Sequence, residues 1–150
     1  MLTESYVSHS STETISLGYE LGKRLPSQAV ICFFGDLAAG KTTFIKGVVA
    51  GAAQIEPTEV HSPTFNYLNI FEGEKRVYHF DLYRLRDLDE FLSMGFDEYL
   101  EAEGICCIEW SERIEAYLPK DCMRVHMMHE KEGTRIITIR TLEFTNKSYN

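Results

Sequence analysis

An α/β fold, with a mixed parallel and antiparallel sheet, flanking helices and β-hairpins, follows from three observations on this sequence. The apolar runs Val30–Phe34 and Ile105–Ile108 carry hydrophobic residues on both faces, the mark of short strands buried in a sheet that helices cover. Segments with helical spacing or helix-capping residues follow such runs. Two pairs of aromatic- and β-branched-rich runs are joined by charged turns containing glycine, which predicts hairpins.

Taken in order, Ser10-Ser11-Thr12-Glu13 reads as a capping box. Thr14, Leu17, Gly18, Leu21, Gly22 and Leu25 then recur along one face of a first helix, and its two glycines point to close packing. Pro26 closes that helix, and Val30–Phe34 is read as the first strand. A second helix is predicted from Lys41 to about Ala53, with Phe44, Val48 and Ala52 on one line and Gly47 and Gly51 permitting tight contact. Two prolines make 54–63 a surface loop.

Phe65–Phe71 and Arg76–Phe80 form the first predicted hairpin, around Glu72-Gly73-Glu74-Lys75. Asp87-Leu88-Asp89-Glu90 starts a short helix that Met94-Gly95 ends, and Phe96–Leu100 adds a turn or two. Ile105–Ile108 is a buried strand that stops at Glu109-Trp110, with Ser111 expected to cap a brief helix through Tyr117 before Pro119. Cys122–Met128 and Arg135–Leu142 flank Glu130-Lys131-Glu132-Gly133 as a second hairpin, and 143–150 reads as a loose tail.

The 150 residues, 44% of them hydrophobic, predict one domain over 1–150 with a real core and little room for a lid or second substrate domain. Fifteen basic against 23 acidic residues give a formal charge of -8, so no direct stable nucleic-acid binding by the chain alone is expected. Cys32, Cys106, Cys107 and Cys122 show no metal-ligand spacing and read as small buried hydrophobes in a reducing compartment. Met1–Ser10 has no signal pattern and no stretch approaches a membrane span, which predicts a soluble, cytoplasmic protein with no membrane partner.

The chemistry concentrates at Gly35-Asp36-Leu37-Ala38-Ala39-Gly40-Lys41-Thr42, which spells G-x-x-x-x-G-K-[ST] between a predicted strand and a predicted helix. Backbone N–H groups of such a turn converge on an anion, and the positive end of the following helix adds to the attraction. Lys41 is placed to reach the β/γ-phosphates of a nucleotide, and Thr42 to put its hydroxyl on Mg²⁺. The sheet is therefore predicted to be P-loop NTPase-like.

Ligands of open α/β sheets bind outside the carboxyl ends of the strands, where two acidic residues stand here. Glu109 follows the cleaner buried strand and is assigned to the metal with Thr42. Asp81 is then left to orient or deprotonate a water. Thr64 in Ser62-Pro63-Thr64 lies where nucleotide switches place a γ-phosphate sensor, although by itself the tripeptide is a weak signal and a simple turn is the favoured reading. Arg84 reads as a phosphate-steadying group or a surface ion pair, Trp110 as core packing or a cover for the site, and His79 as an ordinary structural histidine.

Gly-Asp-Leu-x-Ala-Gly-Lys-Thr-Thr at 35 to 43, Ser-Pro-Thr at 62 to 64, His-Phe-Asp-Leu-Tyr-Arg at 79 to 84 and Ile-Glu-Trp at 108 to 110 together resemble the TsaE family, also called YjeE, from about Thr14 to Pro119. The resemblance implies a small bacterial ATPase needed for threonylcarbamoyladenosine modification at position 37 of tRNAs that read codons starting with A. It implies TsaD and TsaB as protein partners, whose complex is reset between rounds by ATP hydrolysis that is weak without them. It also implies Asp81, Lys41 and Thr64 as catalytic residues, Thr64 as a switch, and Thr42 and Glu109 as Mg²⁺ ligands. ATP or ADP is expected on Gly35, Ala38, Ala39, Gly40, Lys41, Thr42 and Thr43. Ala38 stands where the family usually has glycine, which costs about 1 kcal/mol if that position needs positive φ. Two rival readings of the same loop are a small-molecule P-loop kinase and a nucleotide-gated binding module whose hydrolysis is dispensable.

Overall fold

Parallel pairing at the centre of the sheet brings the predicted carboxylates to one edge. The computed structural model describes residues 2–36, 39–64 and 66–141. In chain order its elements are β1 (Leu2–Ser8), α1 (Ser11–Arg24), β2 (Gln28–Phe34), α2 (Lys41–Ala53), β3 (Leu68–Phe71), β4 (Val77–Asp81), α3 (Leu88–Ser93), α4 (Asp97–Glu101), β5 (Gly104–Glu109), β6 (Met123–His129) and β7 (Arg135–Thr141). Short 3-10 segments cover Pro57–Glu59 and Ser111–Tyr117. The strand order is β1-β7-β6-β2-β5-β4-β3. Strands β6, β2, β5 and β4 run parallel, and β3, β7 and β1 add antiparallel pairs outside them. This is the mixed α/β sheet with hairpins that the sequence predicts.

Helices cover both faces. Helices α1 and α2 pack with Ile31, Phe33, Ile105 and Cys107 on one side, while Phe80, Phe91, Phe96, Cys106 and Ile108 gather on the other. The adjacent Cys106 and Cys107 thus point to opposite faces, as strand alternation requires. All four cysteines are buried thiols, and burial pushes Cys106 up to about 12.

Local signals worked where they were strong. The Ser10 hydroxyl accepts from Glu13 N–H at 3.1 Å, and the Glu13 carboxylate accepts from His9 N–H at 2.6 Å, one residue before the reciprocal partner of an ideal capping box. Asp87 caps α3 in the same way, accepting from Glu90 N–H at 3.0 Å. At the other end of α1, Lys75 in the β3–β4 turn donates to the carbonyls of Lys23, at 3.0 Å, and Leu25, at 2.5 Å, so a tertiary contact satisfies helix-end acceptors.

Three expectations change. Leu2–Ser8 is a strand, paired along β7, so Val30–Phe34 belongs to the second strand and not the first. Most of β1 is exposed at the sheet edge, and its residues carry no apolar alternation to announce it. The first hairpin strand starts at Leu68, because Tyr67 just before it takes a left-handed φ of 66° that no ladder accepts. Ser111 does not cap the segment after β5; Trp110 holds that position with φ 60°, and the buried Ser111 hydroxyl has no partner among the described residues. Ala38, Phe65, Leu142 and the predicted tail 143–150 lie outside the described residues.

The contact between α1 and α2 is made by backbone. A Cβ at Gly47 or Gly51 of α2 would run into the carbonyl oxygens of Ile15 or Tyr19, and one at Gly18 or Gly22 of α1 into those of Phe44 or Val48. Alanine raises helix propensity by about 1 kcal/mol over glycine, but overpacking of this kind costs about 1–3 kcal/mol. Gly51→Ala is therefore expected to lower the midpoint of chemical denaturation, and a raised midpoint would show that the helices can separate freely.

Candidate functional site

The loop between β2 and α2 is held by two glycines whose conformations other residues resist. Gly35 has φ 145°, and a Cβ there would sit 2.6 Å from the Met127 carbonyl oxygen of β6. Gly40 caps α2 in the left-handed region at φ 89°. Between them, Ala39 is buried and donates its N–H to the Asp36 carbonyl at 3.1 Å. Both glycines lie against Met127 of β6.

Lys41 is the first residue of α2 and only 6% exposed. No carboxylate among the described residues lies within ion-pairing distance of it. Its ammonium lies over the Trp110 ring, 4.8 Å from the centroid. That contact keeps a buried cation attracted without neutralising it, which leaves its charge available to an anion. The left-handed turn at Trp110 lets the indole fold back over the helix start, a conformation unusual for so bulky a residue. Tyr83 lies against the same indole at 5.0 Å between centroids, and Arg113 sits over it at 5.8 Å while donating to the Tyr83 carbonyl at 2.8 Å.

Asp81 and Glu109 are direct partners in the β4–β5 register, so two carboxylates stand side by side at the carboxyl edge. Burial, and then the neighbouring Glu109, raise the pKa of Asp81, against the opposing effect of the Tyr83 N–H that it accepts at 3.1 Å. Glu109 is 5% exposed and its Oε2 lies 3.0 Å from Nε2 of His79, a residue only 1% exposed. His79 had read as an ordinary structural histidine; its place two residues before Asp81 on a strand, and so on the same face, is the signal that could have singled it out.

Gly40, Lys41, Thr42 and Thr43 on the helix side face Asp81 and Glu109 across a cleft of about 380 Å³, walled by Tyr83 and Trp110. Thr64 is not in this cleft. It borders a neighbouring cavity of about 250 Å³ with Arg84, and the two spaces share Asp81 and Tyr83. A larger cavity, about 830 Å³, lies between Leu25, Val30, Leu100 and Met123 and contains none of the predicted site residues.

The donor set fits a phosphate-bound Mg²⁺. No group of three or more His, Cys, Asp or Glu residues arranged to hold a metal occurs among the described residues. Mg²⁺ does not need one, since it is commonly held by one or two carboxylates together with substrate phosphates and waters. A hydroxyl from Thr42 and a carboxylate from Glu109, beside an unpaired lysine, suit that mode of binding.

The sheet order and the loop at its carboxyl edge define an α/β protein with a P-loop NTPase-like fold. A family model described as "Threonylcarbamoyl adenosine biosynthesis protein TsaE" matches residues 8–137, and the chain belongs to this family. Among similar proteins named tRNA threonylcarbamoyladenosine biosynthesis protein TsaE, that of Treponema pallidum is 38% identical and the match covers 89% of this chain and 97% of its own. That of Nostoc sp. is 42% identical over 81% of this chain and 76% of its own. The crystal structure of Bacillus subtilis YdiB superimposes with a TM-score of 0.77 at 26% identity, covering 95% of this chain and 87% of that one. No helix among the described residues is long and apolar enough to cross a membrane.

The raised Asp81 pKa has a definite sign for stability. The folded chain keeps this proton to higher pH than the unfolded chain does, so the stability it lends is full below the ordinary aspartate value and is lost as pH rises through the folded value. Asp81→Asn removes that loss. Melting temperatures of the two proteins should diverge in the variant's favour as pH climbs through this window, and parallel curves would contradict the burial of Asp81 beside Glu109.

Proposed function

We propose that this chain is an Mg²⁺-dependent ATPase acting in the cytoplasm in threonylcarbamoyladenosine modification of tRNA position 37, where ATP binding and hydrolysis cycle a TsaB–TsaD complex. The observation that carries the proposal is the meeting of an unpaired Lys41, Thr42, Asp81 and Glu109 around one cleft at the carboxyl edge of the sheet. Membership of the TsaE family supports the pathway, and the residues support the chemistry.

In this reading the loop amides and the start of α2 bind the phosphates of ATP or ADP. Lys41 adds a point charge that lies over the Trp110 face. Thr42 and Glu109 hold Mg²⁺, which when bound supplies charge neutralisation and polarises the phosphoryl oxygens. Asp81 orients the attacking water and takes its proton at a carboxylate oxygen. Its raised pKa makes it a stronger base than an ordinary aspartate. Thr64 acts from the neighbouring cavity as a switch that reaches the site through Asp81.

Trp110 is the chain's only tryptophan and lines the cleft, so its fluorescence reports nucleotide entry. Lys41→Ala removes a charged hydrogen bond of about 1.5–3 kcal/mol, and ATP affinity should fall ten- to hundredfold; unchanged affinity would contradict the phosphate contact.

Turnover is checked by phosphate release without a small-molecule acceptor, which should rise when TsaB and TsaD are added. Asp81→Ala should keep ATP binding while turnover drops about 10²–10⁴-fold. Phosphorylation of an added acceptor would favour a kinase, and modification at the normal rate by Asp81→Ala would favour a binding module.

A further inference from the structure

We infer that His79 is a positioning residue that fixes the Glu109 carboxylate for the metal, an assignment that rests on the function proposed above. His79 lies on the α2 side of β4, in line with Val77 and Asp81, between the apolar core and a cavity of about 160 Å³ that it lines with Thr42, Lys46, His61 and Ser62. Its Nε2 meets Glu109 Oε2 at 3.0 Å, and its Nδ1 is buried with no partner among the described residues. A buried ring nitrogen without a partner is unfavourable, and an apolar side chain at this position would avoid that cost. The bond to Glu109 is the one side-chain hydrogen bond that His79 makes among the described residues.

The same bond determines how Glu109 stands. A metal-holding carboxylate only accepts hydrogen bonds, so the hydrogen of the pair is on His79 Nε2 and the imidazole donates. No other side chain hydrogen-bonds Glu109 among the described residues. Its Oε1 is not among the buried oxygens that lack a partner, and Glu109 lines the cleft. Oε2 is thus tied back into the sheet while Glu109 lines the cleft together with Thr42 and Lys41. Without the imidazole, no side-chain hydrogen bond among the described residues would fix the rotation of the carboxylate beside Asp81. Outer partners of this kind change metal affinity by about 10–100-fold in characterised sites.

The test compares His79→Leu, which cannot donate, with His79→Gln, whose amide nitrogen reaches about as far as Nε2. Calorimetry measures the affinity for a non-hydrolysable ATP analogue across Mg²⁺ concentrations, for each variant alone and combined with Glu109→Gln. His79→Leu is expected to leave metal-free analogue affinity within about twofold and to raise the Mg²⁺ concentration for half-maximal effect about tenfold or more. His79→Gln should bring that concentration back to within about threefold. In the Glu109→Gln background, His79→Leu should add nothing, because the two residues act as a unit.

An unchanged Mg²⁺ requirement in His79→Leu overturns the assignment, as does an equal rise on the Glu109→Gln background. A His79→Leu protein that loses metal-free affinity as well marks a folding role and also overturns it, with His79→Gln showing whether the fold tolerates substitution there. Wild-type protein that binds the analogue without any Mg²⁺ effect overturns the metal site of the proposed function, and this assignment with it.

Discussion

The β4–β5 pairing is the constraint on which the site depends. One register places Asp81 against Glu109, His79 against Cys107, and the whole acidic end of both strands on the α2 side of the sheet. A slip of one residue would turn these side chains to the opposite face, among Phe80, Phe91 and Phe96. The half-buried Asp81 and the buried Glu109 repel, and the raised pKa of Asp81 reflects its partial burial and then that repulsion. What makes the arrangement tolerable is its surroundings: an imidazole on Glu109, a backbone N–H on Asp81 and the cationic start of α2 across the cleft.

The position of α2 follows from a second constraint of a different kind. Ten of its 13 residues are buried, since the helix is covered by the sheet on one side and α1 on the other. Glycines on both helices bring the backbones into contact, so the helix cannot shift without opening that seam. Its first residue is Lys41. The ammonium is therefore aimed by packing that begins one turn along the helix, where Phe44 meets Gly18, and the Trp110 ring lies against its tip. Stability and site geometry share these residues.

Much of this was legible in the sequence because it rests on local rules. Glycines at 35 and 40 announce a loop, the capping residues Ser10 and Asp87 announce helix starts, and apolar strands ending in acid announce an edge. What could not be read depends on contacts remote in sequence. Strand β1 exists because β7, more than 120 residues later, supplies its hydrogen-bonding partners. Pairing of His79 with Glu109 depends on a strand register that no single segment encodes. The Trp110 backbone is left-handed because tertiary contacts with Lys41, Tyr83 and Arg113 outweigh the local preference of a bulky residue.

Thr64 illustrates the same limit from the other side. Its tripeptide was legible, and its distance from the loop in sequence suggested a common site, yet it borders a separate cavity. The wall between the two spaces is made of Asp81 and Tyr83, and Tyr83 leans on Trp110, which in turn covers Lys41. Backbone also ties these residues together: Tyr83 N–H holds Asp81, and Arg113 holds the Tyr83 carbonyl. A displacement of Tyr83 would then alter the hydrogen bond on Asp81 and the aromatic cover over Lys41 at once. The strand ends supply carboxylates placed by the sheet register, while the aromatic walls and Thr64 lie outside the strands. Two routes therefore join the Thr64 segment to the cleft: those walls, and a cavity of about 160 Å³ where His61 and Ser62 meet Thr42 and His79.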